Sequence, residues 1–87
     1  IMRTFQQILE AAGYETSAYS GRGMQGRECL GVDLPAGADR DLGRMLAEVI
    51  GAMGPGENDI VAGAFRRMRT DALGCGSVVY FPGIHHS

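Results

Sequence analysis

Helical periodicity in the middle of the chain constrains the fold more than any other feature of the sequence. Large apolar side chains recur there at steps of three and four, at Leu42, Met45, Leu46, Val49, Ile50 and Met53. Asp39 and Asp41 lie at the start of this run, where carboxylates interact favourably with the helix dipole, and a Gly-Pro-Gly sequence follows its end. The pattern predicts an amphipathic helix whose apolar stripe packs against a core.

The segments on either side predict a further helix and three strands. Apolar residues before Gly13 are also spaced as in a helix. Gly13 stands at the position where the C-terminus of that helix would favour glycine. Residues 14–19 and 26–34 are richer in Tyr, Thr, Cys and Val, and they predict two strands joined across residues 20–25 by a hairpin or a bulged turn. Residues 77–81 are apolar on both faces, which is typical of an interior strand.

Residues 58–71 are less clearly helical. Their apolar residues fit a helix with Asn58 or Asp59 as N-cap, whereas Gly63 weakens the pattern and leaves a strand as the alternative. The predicted fold class is α/β, more narrowly α+β, with a small, mainly antiparallel sheet and about three helices. The predicted order is helix-strand-strand-helix-helix-strand, in a single ligand-binding domain over residues 2–84.

Composition bounds the class of protein. A length of 87 residues lies near the lower end of what one core stabilises, which favours a homo-oligomer. A net charge of −2 argues against bulk nucleic-acid binding, although all eight basic residues are arginine. The two cysteines, Cys29 and Cys75, are too few for a disulfide scaffold, and the first residues lack the apolar run of a signal peptide or membrane span. These features predict a cytoplasmic protein that does not enter the membrane.

Residues 20–27 form an Arg- and Gly-rich stretch with the composition of an anion site. Its three glycines let the backbone approach a ligand closely and expose N–H groups, and Arg22 and Arg27 flank them with guanidinium groups. No Lys-Ser or Lys-Thr pair follows, as a Walker loop requires, and the next segment predicts a strand rather than the helix of a dinucleotide turn. On spacing alone, a Gly-rich hairpin with solvated arginines is the favoured interpretation.

A second group of arginines, Arg66, Arg67 and Arg69, lies close to Asp71. If the segment is helical, Arg66 and Arg69 share one helix face. By itself the group is better explained as a solvated basic face that pairs locally with Asp71. Because an acidic chain concentrates its positive charge in these two segments, together they suggest a site for an anion.

Side chains suited to catalysis are scarce. The cysteines lack C-x-x-C spacing, and no histidine precedes His85 and His86, so neither a thiol redox motif nor a Ser-His-Asp pattern is present. Cys29, inside a predicted strand, is expected to be a small buried hydrophobic side chain. The sequence predicts no enzyme, no cofactor and no metal site.

Two blocks of the sequence resemble a known family. The first is Ser20-Gly21-Arg22-Gly23-Met24 followed by Gly26-Arg27-Glu28-Cys29, and the second is Met68-Arg69-Thr70-Asp71 with Gly74, then Val78-Val79-Tyr80-Phe81-Pro82. They resemble signatures of the small phage-encoded Thoeris anti-defence "sponge" proteins. The resemblance implies an oligomeric, non-catalytic anti-defence protein that sequesters cyclic ADP-ribose-type or related cyclic nucleotide signals in an infected bacterium.

The resemblance also implies which residues bind the ligand: Ser20, Gly21, Arg22, Gly23, Met24, Gly26, Arg27, Arg69 and Asp71. Arg69 would contact a pyrophosphate, and Asp71 would contact a ribose hydroxyl or the loop itself. The side chains that could stack on a base are Tyr19, Met24, Tyr80 and Phe81.

Two other functional classes are alternatives. One is a small phage inhibitor that acts by protein–protein contact on a host nuclease or a CRISPR complex. The other is an enzyme, whose activity would depend on Cys29 or His85.

Overall fold

The computed structural model describes residues 2–21, 28–35, 38–73 and 76–87. These residues form three helices and four strands, in the order α1 (Phe5–Ala11), β1 (Thr16–Ala18), β2 (Cys29–Pro35), α2 (Ala38–Ala52), α3 (Asn58–Arg67), β3 (Arg69–Leu73) and β4 (Gly76–Pro82). The predicted α+β class and the predicted order of elements are confirmed. The structure adds one strand, β3, between the third helix and the last strand.

The four strands form one antiparallel sheet in the order β1-β2-β4-β3. β4 is therefore an interior strand, as its two apolar faces predict. Leu30 lies opposite Phe81, and Val32 lies opposite Val79. Because successive side chains alternate between faces, these four side chains share one face of the sheet.

The three helices pack on that face and close the main core. α1 contributes Phe5, Ile8 and Leu9, α2 contributes Met45 and Val49, and α3 contributes Val61 and Ala64. At the centre, the Phe5 ring meets the Phe81 ring edge-on at 4.8 Å between centroids and the Phe65 ring at 5.8 Å. Apolar burial of this kind is the main stabilising term for a domain of this size.

The apolar side chains of α2 are buried to different degrees. Met45 and Val49 are fully buried, but Ile50 is 56 % exposed. Ile50 follows Val49 by one residue, which rotates it about 100° around the helix axis and away from the sheet. The predicted helix is confirmed, and Ile50 is the most exposed member of its apolar stripe.

Local hydrogen bonds set the ends of α1. The Thr4 hydroxyl accepts from the Gln7 N–H at 3.2 Å, and the Gln7 side chain accepts from the Thr4 N–H at 2.8 Å, which makes a capping box. Gly13, which follows the C-cap, has a φ of +96°. That left-handed conformation favours glycine, so the predicted helix end is confirmed.

The predicted N-cap of α3 is wrong. Glu57, rather than Asn58 or Asp59, occupies that position, and its carboxylate makes no capping bond. It accepts instead from the Arg3 guanidinium at 2.7 and 2.8 Å and from the Gly54 N–H. These bonds lower the pKa of Glu57 to about 2, and they tie the N-terminal segment to the α2–α3 connection.

Within residues 58–71, helix α3 ends at Arg67, and Arg69 lies beyond it. Met68 is extended, with φ −60° and ψ 137°, and Arg69 begins a strand that pairs with β4. Arg66 and Arg69 therefore do not share a helix face, and that expectation is wrong. The physical reason is non-local, because β4 supplies the backbone hydrogen-bond partners that the extended conformation of residues 69–73 requires.

Within the ranges given above, no helix combines the length and the apolar character that a membrane crossing requires.

Candidate functional site

The face of the sheet opposite the helices carries a second, smaller cluster. Cys29, Val78 and Tyr80 are buried there, with Tyr19 packed against them. Asp71 belongs to the same face, because it lies opposite Val78 in the β3–β4 pair. We call this surface, formed by Tyr19, Cys29, Asp71, Val78 and Tyr80, the tyrosine face.

Tyr19 crosses the tyrosine face from one side of the sheet to the other. Its N–H donates to the Cys29 carbonyl at 2.9 Å, just beyond the end of β1. Its ring stacks on Tyr80 of β4, with 4.7 Å between centroids and 27° between planes. Its hydroxyl donates to the Asp71 carboxylate on β3. One side chain thus connects three strands, and the carboxylate it reaches is 52 positions away in the sequence.

Gly31 makes this crossing possible. A Cβ at Gly31 would lie 3.0 Å from the Cβ of Tyr19 and 3.5 Å from Cγ1 of Val78. Ordinary contacts between carbon atoms are about 3.5–4.0 Å, so a Cβ at this position would require Tyr19 to shift by a few tenths of an ångström. A lone glycine within a strand pattern is a known signal of such a close approach, and it is the sequence feature that could have revealed this packing.

The beginning of the Arg- and Gly-rich stretch also lies against Tyr19. Any Cβ at Gly21 would overlap the Tyr19 hydroxyl and ring. Gly21 and Asp71 are therefore both next to the Tyr19 hydroxyl. One residue from each predicted block thus contacts Tyr19, which the sequence marked only as a stacking candidate.

The other predicted ligand residues divide into two groups. Ser20 and Arg69 are described and exposed, and Asp71 is only 8 % exposed. The remaining predicted residues, Arg22, Gly23, Met24, Gly26 and Arg27, lie outside the described residues. Arg69 is opposite Tyr80 in the strand pairing, so it belongs to the tyrosine face by register.

The α3 arginines lie at the same end of the sheet as Arg69. The guanidinium groups of Arg66 and Arg67 both come within 3.9 Å of where a Cβ of Gly63 would lie, and Nε of Arg67 is equally near that of Gly83. Gly83 immediately follows β4, whose last residues pair with the first residue of β2. The second arginine group is thus gathered at the sheet end from which the chain continues beyond β1 to residues 20 and 21.

The side chains considered for stacking and catalysis are placed differently from one another. Phe81 is fully buried in the main core against Phe5, so it does not reach the tyrosine face. Cys29 is fully buried, as predicted, and burial raises the pKa of its thiol. His85 is exposed, and Cys75 lies outside the described residues. In the described ranges, no three His, Cys, Asp or Glu side chains come together as metal ligands.

A separate cleft, which the sequence did not indicate, lies at the opposite end of the sheet. It encloses about 180 Å³ and is lined by Ala12, Gly13, Tyr14, Leu34, Asp41, Arg44 and Glu48. The Tyr14 hydroxyl donates to Glu48 at 2.5 Å, and Arg44 pairs with Asp41. Burial, followed by the bond to Glu48, raises the pKa of Tyr14 to about 12. The polar groups of the cleft are satisfied by one another, which is typical of a structural cluster.

Comparisons of this chain with protein-family models, with curated proteins and with solved structures find no match. The protein is a small α+β fold with its helices packed on one face of the sheet. On the other face, Tyr19 packs against Cys29, Val78 and Tyr80. The resemblance of two sequence blocks to the sponge proteins stays a prediction.

Proposed function

We propose that this protein is a non-catalytic binding protein that sequesters a phosphate-bearing, cyclic nucleotide-type signal. In this proposal it acts as a phage anti-defence sponge in the cytoplasm of an infected bacterium. The observation that carries the proposal is the meeting of Gly21 and Asp71 at the Tyr19 hydroxyl. This contact brings the start of the Arg- and Gly-rich stretch to the strand that bears Arg69.

The chemistry of these residues suits a nucleotide-type ligand. Arginine presents a planar fork that can bind a phosphate through two parallel charge-assisted hydrogen bonds. Arg69 is exposed on the face where Tyr19, itself partly exposed, stacks on Tyr80. An aromatic ring held in this way offers a base a surface that needs little further ordering. Sequestration needs tight binding, and it needs no nucleophile or general base.

Assembly into an oligomer is part of the proposal. Ile50 and Met2 are large apolar side chains that remain 56 % and 59 % exposed. A chain of 87 residues buries a smaller share of its surface than a larger domain does, so a shared interface adds apolar burial that the monomer lacks. Measurement of mass in solution by light scattering tests this part, and a monomer at all concentrations would contradict it.

Calorimetric titration with cyclic ADP-ribose, its isomers and a panel of cyclic di- and oligonucleotides tests the function. We expect saturable binding of at least one compound. We also expect that compound to be chemically unaltered when it is released from the protein. We expect Arg69→Ala to weaken that binding at least about tenfold, because a charge-assisted contact is lost. Arg44→Ala is the matched control, since Arg44 is also exposed but lies at the opposite end of the sheet.

Three outcomes would contradict the proposal. If the intact protein binds none of these compounds, sequestration is wrong. If a bound compound is recovered chemically altered, the protein is an enzyme. If one host protein is captured equally by wild type and Arg69→Ala while no nucleotide binds, the protein–protein inhibitor is the better explanation.

A further inference from the structure

We infer that Arg66 and Arg67, in the last turn of α3, form a binding site for a small phosphate-bearing anion. The site is separate from the tyrosine face, because α3 packs on the opposite face of the sheet. The inference goes beyond the proposed function and does not depend on it.

The two guanidinium groups converge on one place. Nη2 of Arg66 and both Nη atoms of Arg67 lie 3.9 Å from where a Cβ of Gly63 would be. Nη2 of Arg66 is therefore at most twice that distance from either Nη of Arg67. A phosphate group that accepts a hydrogen bond of about 2.8 Å from a donor on each side spans a comparable separation, so one phosphate can bridge both groups.

Helix geometry explains the convergence. Gly63 precedes Arg66 by three residues and Arg67 by four, so the three share one face of α3, and long helical side chains lean towards the N-terminus. Glycine is unfavourable inside a helix, but here its missing side chain leaves room for both guanidinium groups. Gly83, which has a φ of +80°, leaves a second gap, because Nε of Arg67 lies 3.9 Å from where its Cβ would be.

Neither arginine is engaged by another part of the described structure. The Arg3 guanidinium binds the Glu57 carboxylate, and that of Arg44 binds Asp41. Arg66 and Arg67 are exposed, and neither has an ion pair or a hydrogen bond to any described residue. Two like charges at this separation repel one another, and an anion between them replaces the repulsion by two attractive contacts.

A favourable interaction with the helix dipole is the structural alternative for arginines in a last turn. Arg3 shows the direct form of such an interaction, since it donates to the Ala52 carbonyl at the end of α2 at 2.6 Å. Among the described residues, Arg66 and Arg67 donate to no carbonyl, and both lie back over Gly63, one turn earlier. An external anion explains this placement better than the dipole does.

The size of the site and the charge of the chain select the ligand. Two guanidinium groups offer planar forks for the oxygens of one phosphate or diphosphate group. The net charge of −2 disfavours a long polyanion. Inorganic pyrophosphate, which carries no base or sugar, is therefore the probe of choice.

The experiment titrates the ¹⁵N-labelled protein with pyrophosphate at low ionic strength and follows the Nε–H signals of its arginines. We expect the Arg66 and Arg67 signals to move along one saturating curve while the Arg44 signal stays in place. A response that rises linearly without saturation would report charge screening alone and would overturn the inference.

Single substitutions locate the site. We expect Arg66→Gln and Arg67→Gln each to weaken pyrophosphate binding about tenfold, because each removes one charge-assisted contact. Arg44→Gln is the matched control at the far end of the sheet, and we expect it to bind as wild type does. Equal weakening in Arg44→Gln would overturn the inference. So would binding that is lost in Arg69→Ala and kept in Arg66→Gln, since it would place the anion on the tyrosine face.

Gly63→Ala and Gly63→Met form a second pair, which leaves the charge unchanged. A Cβ at 3.9 Å makes an ordinary contact, so we expect Gly63→Ala to bind within about twofold of wild type. The longer side chain of Gly63→Met occupies the place where the guanidinium groups converge, and we expect a several-fold loss. Circular dichroism shows that both variants are folded. Wild-type affinity in a folded Gly63→Met would contradict the convergence.

A single-stranded oligonucleotide tests the other source of phosphate. We expect it to bind no more tightly than pyrophosphate. Much tighter binding with a steep dependence on salt would identify a nucleic-acid surface and would overturn the assignment to a small anion. If pyrophosphate binds at Arg66 and Arg67 but no cyclic nucleotide binds, the proposed function fails and this inference stands. The converse result would leave the proposed function standing alone.

Discussion

Replacing Gly31 by alanine tests the packing that holds the site together. A Cβ at Gly31 would lie 3.0 Å from the Cβ of Tyr19, which is closer than carbon atoms normally approach. Tyr19 cannot retreat freely, because Tyr80 and Asp71 hold its ring and its hydroxyl. The added methyl group therefore strains the tyrosine face instead of filling a space.

The expected magnitude is the balance of two terms. Overpacking a well-fitted site costs about 1–3 kcal/mol. Replacing glycine by alanine also stabilises the folded state by about 0.4–1 kcal/mol, because it reduces the conformational entropy of the unfolded chain. The net free energy of unfolding of Gly31→Ala should therefore fall by about 1 kcal/mol. In a domain of this length such a change lowers the Tm by about 4–8 °C.

Gly43→Ala is the matched control for this prediction. Gly43 is exposed within α2, and a Cβ there would meet nothing within 4 Å. The same chemical change should raise stability by about 0.5–1 kcal/mol, because alanine favours the helix interior. Urea unfolding followed by circular dichroism measures both variants. If Gly31→Ala is as stable as wild type or more so while Gly43→Ala gains as expected, Tyr19 does not lie over Gly31 and the reasoning fails.

Three further predictions concern the rest of the fold. The pKa of Glu57, about 2 against an ordinary 4.5, implies that its bond to Arg3 stabilises the protein above pH 4.5 and that this stabilisation is lost as the pH falls towards 2. Arg3→Met should raise the Glu57 midpoint measured by NMR, and a wild-type midpoint at the ordinary value would contradict the pairing. The pKa of Tyr14, about 12 against 10.0, favours the neutral phenol, so its contribution is present below pH 10 and is lost as the pH rises through 12. Glu48→Gln should lower that pKa towards 10, as read from tyrosinate absorbance, and an unchanged titration would count against the hydrogen bond. Phe81→Ala removes the centre of the aromatic cluster and should cost about 3–5 kcal/mol by urea unfolding, whereas a loss below about 1 kcal/mol would show that the cluster is not the core.

Much of the fold was predictable because it depends on local patterns. The stripe that includes Met45 and Val49 specifies α2 from spacing within a few turns, and the structure buries both. The end of α3 was not predictable in the same way. Met68 fits the helical spacing, yet the chain becomes extended there and continues into β3. What decides this boundary is the backbone of β4, a partner that lies later in the chain.

The sequence pointed to individual residues of the candidate site, but it did not show which of them are in contact. The composition of residues 20–27 pointed to an anion, and Tyr19 was one of several stacking candidates. That Tyr19 reaches Asp71 depends on how β1, β2, β4 and β3 are ordered in the sheet, which no local spacing reports. Gly31 carried a usable signal, since a glycine inside a strand pattern indicates that another group approaches closely.

The sequence by itself determined the class of fold, the order of every element except β3, and the apolar faces of α2 and β4. These follow from side-chain spacing along one helix or strand, where neighbouring residues decide the outcome. Only the tertiary structure decided which residues meet across the second face of the sheet. Tyr19 and Asp71 are 52 positions apart in the sequence, and they meet because the strand order β1-β2-β4-β3 places both on one face of the same sheet. Strand pairing of this kind is settled by the fold as a whole, since each strand's position depends on the others.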